Sequence, residues 1–284
     1  QRLGGNEAPP AVISVFLGEQ LGDVLDQLIS TGTATHSKKG SLLETGVKTL
    51  PDFMKDATDR NSTSPFAFTG NKFEFRMLGS SQSIAGPCIV LNTVVAEERE
   101  QFADALEGAQ DFNAALNELI RKTIREHKRI LFDGNGYSEE WEAEAARRGL
   151  PNLKTTPDAL PAMVKPENIK FFEKYGVLSE SEVHARYVAK AEQYAKLLNI
   201  EANTMVYMTR HMYLPALFDY SGDIATSVAT KAELGIDAKA EKKMVSVLTD
   251  GINAISDAVD DLEAKNAQAK GLEDPQAADD CYRD

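Results

Sequence analysis

The segment Asn71–Met77 reads NKFEFRM and sets one acid between two cations at every second position. Along an extended strand successive side chains point to opposite faces, so Lys72, Glu74 and Arg76 share one face and Phe73, Phe75 and Met77 the other. A Glu carboxylate is a hard oxygen ligand suited to magnesium, which takes few protein carboxylates and fills its shell with water and substrate phosphates. Arg offers a planar fork for phosphate or carboxylate. The pattern suits metal-assisted chemistry at a phosphate. It equally describes an amphipathic strand whose charged face lies in water.

Two upstream segments can join the same site. Asp59–Phe66 reads DRNSTSPF and puts Arg60 within one hairpin of Glu74. Its Asn61-Ser62-Thr63 matches a glycosylation sequon, read here as chance because nothing else suggests secretion. Arg2–Pro10 reads RLGGNEAPP, in which paired glycines and paired prolines make a stiff loop that can carry Arg2 and Glu7 as binding groups or as plain surface charges. His36, His127, His184 and His211 have no HExxH or paired metal spacing and read as surface or core residues. Gly134-Asn135-Gly136 lacks phosphate-loop spacing and reads as a turn.

Strands and helices must position these groups. Ala11–Leu17 (AVISVFL) suits a strand or a buried helical segment. A helix is expected near Leu21–Ile29, then an exposed, mobile loop over Thr31–Ser41. Beyond Thr93 the pattern turns helical. Phe102, Leu106, Ala109, Phe112, Leu116, Leu119 and Thr123 form a stripe that ends at Gly134-Asn135-Gly136. Ser138 can cap a helix that Gly149 ends. Ser179 and Glu182 form a capping-box signature for a helix through Leu197 and Met208, with Pro215 as its kink or end. Met244, Leu248, Ile252, Ile255, Val259 and Leu262 step in near-heptad fashion, which suits packing on a neighbouring helix. The acidic Glu273–Asp284 run is expected in solvent.

The chain has 284 residues, 42% hydrophobic and 26% charged, the profile of a globular protein with one large domain or two. Its net charge of -13 repels phosphate backbones and anionic membranes, which argues against nucleic acid or membrane as partner. Two cysteines, Cys88 and Cys281, lie far apart in sequence, and a reducing cytoplasm is the simplest reading. No apolar run is long enough to span a bilayer. The chain opens at Gln1 without Met and ends without a stopping signal, so both ends look like cuts in a longer protein.

RLGGNEAPP, DRNSTSPFAFTG and NKFEFR, in this order, resemble the C-terminal signature of type III glutamine synthetases, and GNGYSEEW, RRGLPNL, TPDALP, KFFEKYGVLSE and NIEANTM extend the resemblance over nearly the whole chain. The resemblance implies an α+β fold. Residues 1–100 would be the C-terminal part of an antiparallel-sheet catalytic domain, and residues 101–284 a helical region. It implies an ATP-dependent glutamate–ammonia ligase that works through γ-glutamyl phosphate with magnesium or manganese. It further implies a homo-oligomer of two stacked hexamers. Arg2 matches the arginine on the glutamate carboxylate, and Glu7 the flap glutamate that deprotonates ammonium. Glu74 matches a metal ligand, and Arg76 the arginine on glutamate and the tetrahedral species. Lys72 matches a cation on the nucleotide side, and Arg60 a neighbour of the phosphate position. The family motif usually reads DRNRTSPFAF, and Ser62 replaces its second Arg. Losing such a preorganised donor typically costs about 10²–10³ in rate. The family's other metal ligands lie upstream, so the isolated chain is expected to be inactive. The rival reading is a non-catalytic assembly or regulatory module, a degenerate paralogue. A guanidino kinase fits NEAPP and NKFEFR poorly.

Overall fold

A computed structural model describes residues 12–37, 42–43, 53–54, 64–76 and 82–283. The chain divides into two compact units, Gln1–Ala159 with Phe171–Leu178, and Leu160–Lys170 with Ser179–Asp284.

In the first unit, Val15–Phe16 (β1) leads into helix Gly18–Thr31 (α1), and the short strands Leu42–Leu43 (β2) and Phe53–Met54 (β3) pair antiparallel. Phe66–Phe68 (β4) and Phe73–Phe75 (β5) complete a three-stranded sheet of order β1-β4-β5. The sheet is mixed, because β1 pairs parallel to β4 while β4 and β5 are antiparallel. This departs from the purely antiparallel sheet expected. A parallel neighbour needs a crossover, and α1 lies in the connection from β1 to β4.

Helices follow. The stripe expected to run unbroken from Phe102 to Thr123 is split between Ala85–Leu106 (α2) and Phe112–His127 (α3). Gly108 between them has φ +75°, a left-handed conformation that a helix interior excludes, and the Asp111 side chain accepts from Ala114 N to start α3. Ser138 caps Glu139–Arg147 (α4) by accepting from Trp141 N, and Gly149 at φ +69° turns the chain away from it, both as expected. A single turn, Thr156–Ala159 (α5), precedes the boundary with the second unit. Further along, Lys174 bridges to Glu97 and Glu100 of α2 at 2.8 Å each. The hydrogen bonds of Lys174 and Tyr175 hold the Glu97 carboxyl down at about 2, while burial, then Glu100 and Glu97, push the Tyr175 hydroxyl up to about 12.

The second unit is helical. After a 3-10 stretch, Leu160–Val164, comes Pro166–Lys174 (α6), whose last residues group with the first unit. Ser179 and Glu182 form the expected reciprocal capping box on Glu180–Met208 (α7). Pro215 does not end this helix. Its missing N–H leaves one carbonyl unserved, and the backbone widens into a π-turn over Thr209–Tyr213 before continuing as Leu214–Glu233 (α8). Lys239–Lys270 (α9) returns against α8 and α7, burying Ile252 and Val259 of the near-heptad stripe. The final acidic run is not in solvent. Pro275–Arg283 (α10) packs on α7 and α9 with Ala278 and Asp279 buried, because its inward face is small enough to dock despite the acids. Among the described residues no helix is long and apolar enough to cross a membrane.

Candidate active site

Within β5 the side chains sort as the alternation predicts, Phe73 and Phe75 on one face and Glu74 on the other, while Lys72 and Arg76 lie outside the strand. Phe66 faces Phe75 with ring centroids 4.7 Å apart, and Phe68 faces Phe73 at 5.3 Å. Glu74 pairs in register with Ala67, so both point to the opposite face. That face is covered at Ala67, which has no exposed surface, and Glu74 beside it is half-buried. Lys72 lies in the connecting turn and is exposed, with its carbonyl accepting from Thr69 N at 2.8 Å. Arg76 follows the strand, and its N–H donates to the Pro65 carbonyl at 2.8 Å. The backbone thus ties Arg76 to Pro65, just before β4. Arg2, Glu7, Arg60 and Ser62 lie outside the described residues, as does Met77.

Beneath the hairpin runs a support that the sequence alone did not single out. Ser14 donates to Ser64 Oγ at 2.6 Å, and Ser64 donates to the Phe132 carbonyl at 3.1 Å, with both serines buried. Phe132 N donates to the Val15 carbonyl at 2.9 Å, which sets this segment beside β1. The Asp133 carboxylate accepts from Leu17 N and Gly18 N at 2.8 and 3.0 Å and so serves the open N-terminus of α1. The Phe132 ring stacks on Trp141 at 3.7 Å, inside a core of Val12, Trp141, Ala145 and Leu150. Arg148 lies over the Trp141 ring at 5.3 Å and donates to the Leu131 carbonyl at 2.8 Å. Glu144 holds both Arg147 and Arg148, and their hydrogen bonds, Arg147 first, keep its carboxyl down at about 2. GNGYSEEW and RRGLPNL therefore act as scaffold for the sheet that carries Glu74. The signals for this were the chain's one Trp and an Asp set directly before Gly134-Asn135-Gly136.

A half-open recess of about 300 Å³ adjoins the hairpin, lined by Leu17, Leu21, Val24, Phe68 and Gly70 among others. Phe68 belongs to the aromatic face, so the recess is not where Glu74 points. Among the described residues no three acids, histidines or cysteines come together as a metal cage. A lone carboxylate such as that of Glu74 can supply one position of a magnesium shell and not the whole of it.

The profile of the glutamine synthetase C-terminal domain matches residues 115–232. The type-3 glutamine synthetase of Dictyostelium discoideum is 44% identical over 231 residues, which is 80% of this chain and 31% of that protein. The chain belongs to the glutamine synthetase family. The glutamine synthetase of Butyrivibrio fibrisolvens is 41% identical over 238 residues, 82% of this chain and 33% of its own length. That of Bacteroides fragilis is 32% identical over 273 residues, 92% and 37%. The chain spans about a third of the length of these relatives. The glutamine synthetase profile covers α3 to α8, downstream of the hairpin.

Proposed function

We propose that this chain is the C-terminal part of an ATP-dependent glutamate–ammonia ligase of type III. The observation that carries this reading is the 44% identity to a type-3 glutamine synthetase over 80% of the chain. It is supported by the half-buried placement of Glu74 opposite the paired phenylalanines. Residues 1–100 would contribute to the catalytic domain, and residues 101–284 would form the helical region.

The glutamate γ-carboxylate attacks the γ-phosphorus of ATP, and ADP leaves. Ammonia then attacks the acyl carbon, and phosphate leaves. Arg2 holds the substrate carboxylate. Arg76 holds glutamate and stabilises the tetrahedral oxygen. Arg60 and Lys72 lie on the phosphate side. Glu7 takes the proton from ammonium and shields the acyl phosphate from water. Glu74 would hold magnesium or manganese, which would offset the charge of the phosphoryl group. Glutamate, ammonia and ATP are the partners. The assembly is a cytoplasmic homo-oligomer of two stacked hexamers.

The isolated chain lacks the remaining metal ligands of this scheme. The test compares it with a form extended to the length of its relatives in ATP- and metal-dependent glutamine formation. Turnover by the extended form alone supports the reading, and an inactive extended form contradicts it. Ser62 favours the second reading, a non-catalytic assembly or regulatory module. A large rate gain from Ser62→Arg in the extended form marks a weakened enzyme and speaks against that module.

A further inference from the structure

Ser64 is the point at which three segments of the first unit meet. Its hydroxyl accepts from the Ser14 hydroxyl at 2.6 Å and donates to the Phe132 carbonyl at 3.1 Å. Both serines are 1% exposed, so losing either bond strands a polar group away from bulk water. Ser14 grips the same stretch a second time, because its carbonyl accepts from Phe66 N at 3.3 Å. Phe132 is itself fixed, by its N–H bond to the Val15 carbonyl and by its ring stack on Trp141. The main chain is therefore held on both sides of Pro65, at Ser64 and at Phe66.

This double grip sets the Pro65 carbonyl, which accepts from Arg76 N at 2.8 Å. The register that pairs Phe66 with Phe75 puts Pro65 opposite Arg76, one residue past the end of β5. Residues opposed in this way in an antiparallel ladder exchange two hydrogen bonds. Pro65 has no N–H to return the second, so the 65–76 pair is closed by one bond. The acceptor of that bond is placed by Ser64. Glu74 lies further along the hairpin, opposite Ala67, and Ala67 is held independently by its pairing with Phe16 of β1. A displaced Pro65 is therefore felt at Arg76 before it is felt at Glu74.

We propose that Ser64 is a positioning residue for Arg76, setting through the Pro65 carbonyl where that arginine meets the glutamate substrate. This rests on the ligase reading above, in which Arg76 holds glutamate and the tetrahedral oxygen. The test is steady-state kinetics of glutamine formation by the form extended to the length of its relatives. Ser64→Ala is expected to raise KM for glutamate about tenfold and to lower kcat, with KM for ATP and the manganese requirement within about twofold of the parent. Ser14→Ala leaves the Ser64 bond to Phe132 in place and is expected to give a smaller shift in the same direction. The double variant is expected to be no worse than Ser64→Ala, because the two hydroxyls act in one chain of bonds. A merely structural role would cut the amount of active enzyme and leave KM for glutamate where it was. Where Ser64→Ala fails to fold, Ser14→Ala decides by the same criterion. A parent that makes no glutamine contradicts the ligase reading and takes this inference with it. An active parent whose serine variants keep its KM for glutamate, or raise KM for ATP equally, overturns the inference alone.

Discussion

Asp279 has no exposed surface, and among the described residues neither of its carboxylate oxygens finds a hydrogen-bond partner. Burial, reinforced by the neighbouring Asp280, pushes its carboxyl up to about 7. A carboxyl raised in the fold binds more protons folded than unfolded. Stability therefore falls as pH rises from the ordinary carboxylate value to about 7 and levels off above it. Asp279→Asn keeps the shape without the charge. It is expected to raise the melting temperature by about 3 °C or more at about pH 8 and to change it little near about pH 4. A thermal series over that range checks this, and equal effects at both ends would refute it. The residue pattern concealed this acid because the Glu273–Asp284 run is dominated by charge. The helical spacing that turns Asp279 inward beside Ala278 emerges only once α10 has somewhere to dock.

At the scale of elements, the β4–β5 hairpin was legible because period-two alternation and aromatic cross-strand pairs are local properties of the chain. The caps at Ser138 and Ser179 were legible for the same reason. What supports the hairpin was not. Ser64, Phe132 and Trp141 meet over long sequence separations, as in the Ser64 bond to Phe132, and no local period encodes such a meeting. Trp141→Ala removes the ring under Phe132 and is expected to cost about 3–5 kcal/mol. Denaturant unfolding followed in the first unit measures it, and a cost below about 1 kcal/mol would mean that Trp141 does not hold the sheet. Ser179→Ala is milder. It removes the cap donor and acceptor at the start of α7 and is expected to cost about 1 kcal/mol, with Ser179→Gly closer to the parent. A Pro215→Ala variant restores the missing N–H beside the π-turn. Loss of that turn, read from backbone chemical shifts over Thr209–Tyr213, is the expected result, and an unchanged turn would show that Pro215 is not its cause.

For the molecule as a whole, sequence order carried more than geometry. RLGGNEAPP, DRNSTSPFAFTG and NKFEFR pointed to one family, and the comparisons with relatives agree with it. The described structure brings Lys72, Glu74 and Arg76 onto one hairpin, with Arg76 N bonded to the Pro65 carbonyl. A single carboxylate is too little to hold the metal ions such a reaction uses. On the proposed function the chain contributes ligands to a larger site, and Glu74 reaches a metal there. The direct measurement is the manganese dependence of glutamine formation by the form extended to the length of its relatives, with Glu74→Gln beside the parent. Glu74→Gln is expected to need far more manganese for half-maximal rate and to lose about 10²–10³ in turnover. An unchanged manganese requirement with undiminished turnover would contradict it.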